Sequence, residues 1–521
     1  MTTYAQLPSG IIAPQELAKS VLNDYLFGNH GAYRTARSTN KNTMGWETSS
    51  GSADTDTLSD LATLRSQSRD LVRNEALPSG AIATVVTSVV GTGIVPQCRL
   101  DHEFLGISEA AADAWQRKAE RIFKQTADKP HWDAEGRENF WQQQSTVERS
   151  QLESGDVFAV RRYIERPGKL LGLAVQLVEA DRVDTPLDKR INRNIRAGIE
   201  FGSDGYPAGF HIAQEHPGES TALLPRKFTR IDAFDKNGNP LVLAVIKRLR
   251  PGQTRGVPYL AAVIEPLKQL ARYTEAEITA AVLSGMFAVF VTSPAAVSPL
   301  PGGLPGVVNG KQSVPAGNGL QRLQSGMIVD LAPGEEIKVA EATRPNTAFD
   351  PFVQAVLRQI GVALELPFEI LIKHYTASYS AARAAIIEAW RFFLREREFL
   401  VQSYCQPCWE WVITEAIARG LLEAPGFFDD LLVRAAWLGT EWVGQGMPSI
   451  DPVKDAEAAT RWNALNVLPL QTISAQQGRD FDRDFKQVVR EQKLLKDSGL
   501  HRPNEQILPE PGQQTSNPKK P

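Results

Sequence analysis

The chain has 521 residues, enough for roughly two to four domains and a large core, so its folding needs neither a disulfide nor a metal staple. Its only cysteines are Cys98, Cys405 and Cys408, an odd and sparse set that argues against a secreted disulfide scaffold and suits a reducing compartment. With 57 Lys and Arg against 60 Asp and Glu the net charge is −3, which excludes a tight sequence-independent coat on nucleic acid but leaves a surface a polyanion could pass without sticking.

The opening "MTTYAQLPSGIIAPQELAK" lacks a basic start followed by an apolar run. The longest apolar stretch, 278–291, spans fourteen residues and contains Thr279, Ser284 and Gly285, short of the roughly 20 that a bilayer-spanning helix needs. A soluble, intracellular protein with no membrane partner is the expectation.

Residues 1–60 are expected to form a flexible N-terminal arm, because 31–60 are rich in Ser, Thr, Gly and Asn. Region 61–254 reads as α+β. Ala112, Trp115, Ala119, Ile122 and Phe123 fall near one face of a helix over 111–124, and a helical pattern continues over 140–152. The strands "VFAVRRY", "LAVQLVEA" and "PLVLAVIKRL" follow, divided by turns such as "ERPG" and "KNGNP". The spacing predicts a helix across 255–292 with Pro258 in its first turn, Leu260, Ile264, Leu267 and Ala271 on one face, and Pro266 as a kink or restart. Residues 293–349 are a Gly/Pro-rich loop with short strands.

Helices return over 350–430. The longest, 380–419, is stopped by Gly420 and would measure about 60 Å. Its buried stripe runs Ile386, Trp390, Phe393, Leu400, Tyr404, Cys408 and Trp411, with Arg397 in register. A helical C-terminal region, 431–500, and a disordered tail, 501–521, with five prolines complete an elongated α+β subunit.

Cys405-Gln406-Pro407-Cys408 has the spacing of a thiol–disulfide oxidoreductase, which makes a redox enzyme the rival reading. That chemistry needs the first cysteine at a helix N-terminus, whereas "EAWRFFLREREFLVQSY" places Cys405 inside a helix, where Pro407 should form a structural kink. His211 and His216 stand at H-x4-H among strand and turn signals and read as surface histidines, not a zinc pair. "VVGTGIVPQ" has Pro96 where a dinucleotide fingerprint wants glycine, and reads as a tight turn. In "SYSAAR" a serine enzyme would need lysine at position 383, where Arg383 stands; Ser378 or Ser380 reads as an N-cap. No catalytic residue, cofactor site or metal site emerges, so the chain reads as a non-enzyme.

The order of several stretches carries more information than any one of them. "RSQSRDLVRNEALPSGAIATVVTSVVGTGIVPQ" (65–97), "SGDVF" (154–158), "LVEADRVDTP" (177–186), "GIEFGSDGYPAGFHI" (198–212), "RPGQTRGVPYLAAVI" (250–264), "LAPGEE" (331–336), "SYSAARAAIIEAW" (378–390) and "DPVKDAEAAT" (451–460) together resemble the lambda-type portal proteins of tailed bacteriophages, over about 61–500. Ala381 departs from the family, which often has a second hydroxyl residue there.

The resemblance implies a ring-shaped homo-oligomer, usually a dodecamer, at one capsid vertex, through which double-stranded DNA is packaged and ejected without sequence specificity. It implies docking of the terminase large subunit, the major capsid or scaffold protein and head-tail connector proteins, with the ATPase belonging to the motor. The location would be the virion, after assembly in the host cytoplasm. By the same resemblance, 61–254 would supply wing and clip, 255–292 the stem helix, and 350–430 the wing and crown side. Lys268 and Arg272, one turn apart on that stem, are the candidates for facing DNA, with pairing to Glu265 and Glu275 as the plain alternative. A capsid or tail adaptor that forms no channel is the other alternative.

Overall fold

The computed structural model describes residues 50–219, 226–285, 348–375 and 378–500, with the strands Tyr4–Gln6, Ile12–Pro14, Val289–Thr292 and Glu336–Val339. Contacts divide the chain into Met1–Thr55 and Asp56–Pro521. Tyr4–Gln6 pairs antiparallel with Ile12–Pro14, and a helix spans Ala53–Leu58, so parts of the expected arm carry regular structure. The rest of 1–49, most of 293–347 and the tail 501–521 lie outside the described residues.

In the larger unit, α1 (Leu61–Asn74) and α2 (Ala76–Val89) meet at Glu75. Gly91 and Gly93, at φ +59° and +118°, then turn the chain into β1 (Val95–Cys98). Left-handed φ values suit glycine, and this is the turn expected for "VVGTG". Helix α3 (Glu109–Ala127) starts where the Ser108 hydroxyl accepts the Ala111 amide, and it buries Ala112, Ala119, Ile122 and Phe123 along one face. Helix α4 (Phe140–Ser154) opens on a reciprocal capping box between Asn139 and Gln142 and stops at Gly155, φ +90°.

Strands β2 (Asp156–Tyr163), β3 (Leu173–Glu179), β4 (Ile195–Arg196), β5 (Ile199–Phe201), β6 (Pro207–Ala213), β7 (Phe228–Asp232) and β8 (Val242–Ile246) make two antiparallel sheets. One has the order β8-β2-β3 and the other β4-β5-β6-β7. Alternation along β2 explains how they stack. Val157 and Ala159 join the large helical core, whereas Phe158 and Val160 join Phe210, Ile212 and Val242 in a second core between the sheets.

The predicted helix over 255–292 is shorter. After a 3₁₀ turn at Ala261–Val263, α5 runs Ile264–Gly285, which puts Pro266 in its first turn, where its missing N–H is harmless; Arg255 lies in a buried connection instead. Next come α6 (Phe349–Ala363), α7 (Phe368–Leu371), α8 (Tyr379–Leu400), α9 (Gln406–Ala418), α10 (Leu431–Leu438), β9 (Thr440–Val443), α11 (Pro452–Ala464), α12 (Leu470–Gln476) and α13 (Phe481–Asp497).

The α+β region 61–254 and the helical region 350–430 share one core. Phe392 and Leu400 of α8, Trp409 of α9 and Tyr404 between them pack with Val85, Phe123, Phe140 and Val147 from α2–α4, and the Phe123 and Trp409 rings are 5.2 Å apart. Each such fully buried large side chain contributes about 1.5–3 kcal/mol. Strand β9 completes the closure by pairing antiparallel with β1, Thr440 opposite Cys98 and Val443 opposite Val95.

Candidate functional site

Helix α5 is moored to the body by a buried ion-pair hub just before it. Arg255, 2% exposed, donates from Nε to Asp156 Oδ2 (2.7 Å) and from Nη2 to Oδ1 (2.9 Å). Its remaining donors reach the carbonyls of Val183 (2.8 Å), Ala197 (2.9 Å) and Ala180 (2.7 Å), so one guanidinium ties β2 to the segments before β4 and β5. The Gly256 amide adds a third bond to Asp156, at 3.0 Å. This crossing is too tight for side chains: a Cβ on Gly256 would lie 1.8 Å from the Gly155 carbonyl oxygen.

Arg65 of α1 brings a second cation to Asp156, Nη2 to Oδ1 at 2.9 Å, and donates from Nε to the Ser154 carbonyl at 2.8 Å. Burial lowers its guanidinium to about 10, with Asp156 opposing the shift and Arg255 reinforcing it. Arg69 continues the network to Asp181 (2.5 Å) and Glu179 (3.2 Å). These arginines and acids were not picked out from the sequence, although Asp156 and Arg255 sit inside "SGDVF" and "RPGQTRGVPYL"; an acid and a base flanked by glycines at strand and helix borders was the available signal.

Beyond the hub, α5 packs on α6 through Tyr273, whose ring lies 5.5 Å from Phe349 and 5.1 Å from Phe352. Tyr259 donates its hydroxyl to the Leu364 carbonyl at the other end of α6. Between these helices in the chain, Val289–Thr292 pairs antiparallel with Glu336–Val339. Lys268 and Arg272 are exposed on α5. Lys268 Nζ lies 3.5 Å from Glu75 Oε1, not on Glu265, whose carboxylate accepts from Gln269. Arg272 has no ion-pair partner among the described residues.

The C-x-P-C stretch sits in a different environment, where α8 passes into α9 through one π turn, Val401–Cys405. There the Gln406 amide bonds the Val401 carbonyl five residues back, immediately before Pro407, which has no amide proton to give. Cys98, Cys405 and Cys408 are buried, and burial raises all three thiols above their ordinary value. A redox nucleophile needs the opposite shift. Arg397, on the predicted stripe, donates to the carbonyls of Val89 and Ser88, both at 2.9 Å, and so caps the C-terminal end of α2.

His211 is a correction to the sequence reading: it is buried in β6, not on the surface, with Nε2 3.1 Å from Glu200. Burial, helped by Lys189, lowers its pKa and favours the neutral ring. His216 is partly exposed, 3.6 Å from Glu179 and 3.7 Å from Asp181, and these three could offer ligand atoms to a metal. Arg69 already supplies a cation to both carboxylates, which makes this an ion-pair cluster rather than a built metal centre.

A family model described as "Phage portal protein, lambda family" matches residues 39–397. The portal protein of Escherichia phage N15 is 26% identical over 479 residues, covering 88% of this chain and 89% of the relative. Portal protein B of Escherichia phage lambda is 25% identical over 478 residues, 88% of each. Among solved structures, the neck of an empty GTA particle computed with C6 symmetry aligns with a TM-score of 0.42 at 12% identity, over 81% of this chain and 94% of that one. The neck of a native GTA particle computed with C12 symmetry gives 0.41, at 12% identity over 81% and 93%.

Proposed function

The chain belongs to the lambda family of phage portal proteins, and from that premise we propose that it forms a ring-shaped homo-oligomer, a dodecamer, at one capsid vertex, through which double-stranded DNA is packaged and later ejected. The observation that carries the reading is the near full-length relation to the phage N15 and lambda portal proteins. In this reading the chain nucleates capsid assembly with the major capsid or scaffold protein, receives the terminase large subunit, and then receives the head-tail connector proteins. Its role is structural, which suits the buried, unactivated thiols.

The proposed stem is α5 together with α6, joined through Tyr273 and moored at Arg255. The paired strands Val289–Thr292 and Glu336–Val339 follow α5 and precede α6 in the chain, and we assign the clip to them instead of to 61–254, which becomes wing. Lys268 and Arg272 would meet DNA phosphate without reading bases. A net charge of −3 per chain keeps the passage from holding its cargo. Electron microscopy of the purified protein tests the reading. Rings with a central hole wide enough for duplex DNA are expected; monomers or solid particles under assembly conditions would sink it.

A further inference from the structure

Two stretches of opposite charge carry large apolar side chains that the described fold leaves exposed. The first is the turn 186–196, "PLDKRINRNIR", with four cations against one acid, net +3. Leu187 is 70% exposed and Ile191 94%. This is an ordered turn: the Asn192 amide bonds the Lys189 carbonyl (3.0 Å), the Ile195 amide bonds the Asn192 carbonyl (3.0 Å), and the Asn194 amide bonds the Asn192 side chain (3.0 Å). Those bonds hold Ile191 in water, whereas Ile195 of the same stretch is buried. Arg196 stacks on Phe201 at 4.6 Å, but Lys189, Arg190 and Arg193 meet no carboxylate at ion-pair distance among the described residues. Arg226, in the pocket it shares with Leu187 and Lys189, has a buried Nη1 without a hydrogen-bond partner.

The second stretch is 421–432, "LLEAPGFFDDLL", with three acids and no cation, net −3. Phe428, Leu431 and Leu432 are 62%, 80% and 69% exposed. Asp430 is occupied as the N-cap of α10, accepting the Leu432 amide at 2.7 Å, while Asp429 and Glu423 are exposed and have no ion-pair partner among the described residues. Each stretch thus offers what the other lacks.

Their positions also differ in a way that matters for assembly. The basic turn shares its pocket with Phe228, at the end of the β6–β7 pair where Phe228 opposes Ala213. Beside the acidic stretch, Arg434 of α10 bonds Asn239, in the loop that leaves the other end of that pair at Asp232. The strand pair separates those ends by about 13 Å. A head-to-tail contact that closes a ring requires two different, complementary patches on one chain.

We propose that the turn 186–196 of one copy docks on segment 421–432 of the next. Leu187 and Ile191 cover Phe428, Leu431 and Leu432, while Arg190 and Arg193 pair with Asp429 and Glu423. This rests on the ring reading above. Ile191 at the tip and the carboxylate of Asp188 make the turn a poor surface for duplex DNA and a good one for an acidic apolar protein segment.

The test is a charge swap read by electron microscopy and mass photometry of the full chain. Arg190→Glu with Arg193→Glu, and separately Asp429→Lys with Glu423→Lys, should each lower the ring fraction by about tenfold or more. Mixing the two variants should restore rings, because basic-turned-acidic loops meet acidic-turned-basic ones only at hetero-contacts, and a chain carrying all four changes should also assemble. Ile191→Cys with Leu431→Cys supplies a second measurement. The native thiols are buried, so oxidation should give inter-chain ladders. Wild-type rings with neither charge sensitivity nor crosslink would overturn this proposal and leave the ring reading standing, whereas wild type that forms no rings would overturn the ring reading. Loss of duplex DNA binding with intact rings in the arginine variant would make the turn a DNA surface, also against the proposal.

Discussion

Glu148→Gln should make the protein more stable near neutral pH. Glu148 is buried in α4, and burial together with the Glu396 charge pushes its carboxyl up to about 8 against the pull of Lys247. Lys247 Nζ lies 2.6 Å from Glu396 Oε1, so Glu396 holds the local cation, while Glu148 Oε1 and Glu396 Oε2 have no hydrogen-bond partner. In the unfolded chain the same acid titrates near 4.5. Between those values the folded protein keeps a proton that the unfolded chain releases, so stability falls as pH rises. The fall is about 1.4 kcal/mol per pH unit, roughly 3 kcal/mol by pH 7, and it levels off above the folded value. Glutamine mimics the protonated acid and cannot ionise. Wild type and variant should therefore have similar urea midpoints near pH 4, and the variant should pull ahead by roughly 3 kcal/mol at pH 7 and further by pH 8. Parallel pH curves would show that Glu148 does not carry this proton, and the reasoning would fail.

Arg255→Met leaves Asp156 with Arg65 as its single cation and strips donors from the carbonyls of Ala180, Val183 and Ala197, which should destabilise by about 3–5 kcal/mol in chemical denaturation. Arg255→Lys should rescue little, since an ammonium lacks the fork that spans these acceptors. Cys405→Ala with Cys408→Ala should leave ring formation and DNA packaging intact at a stability loss of about 1–2 kcal/mol, and native wild type should resist iodoacetamide; rapid alkylation or lost packaging in a folded variant would reopen the redox reading. Lys268→Ala with Arg272→Ala should flatten the plot of log DNA affinity against log salt by about 1–2 units without altering the fold; an unchanged slope removes these residues from the channel.

Local features were legible wherever they depend on short-range periodicity. The patterns over 111–124 and 140–152 fall inside α3 and α4, and the strand runs anticipated β2, β3 and β8. The long helical stretch ending at Gly420 is present from Tyr379 to Ala418 with a π turn inserted, a change of hydrogen-bond register that no side-chain spacing announces. The start of α5 was misplaced because Val257 and Leu260 continue the apolar pattern while the backbone there is committed to the Asp156 crossing. His211 reads as a surface residue because Phe210 and Ile212 take the face toward the second sheet; its own face is covered by the segment 185–189 together with Arg226 and Arg230, a cover that comes from packing.

Element types, family and the lack of context for thiol chemistry are written along the chain, because propensity, capping and motif order act over a few residues or survive as collinear patterns. Which charges meet is a matter of packing. Asp156 finds Arg255 at a separation of 99 residues, Lys268 finds Glu75 at 193, and Arg397 finds Val89 at 308. Such pairings depend on how the chain closes on itself and on which groups lose water when it does, and both are properties of the packed whole.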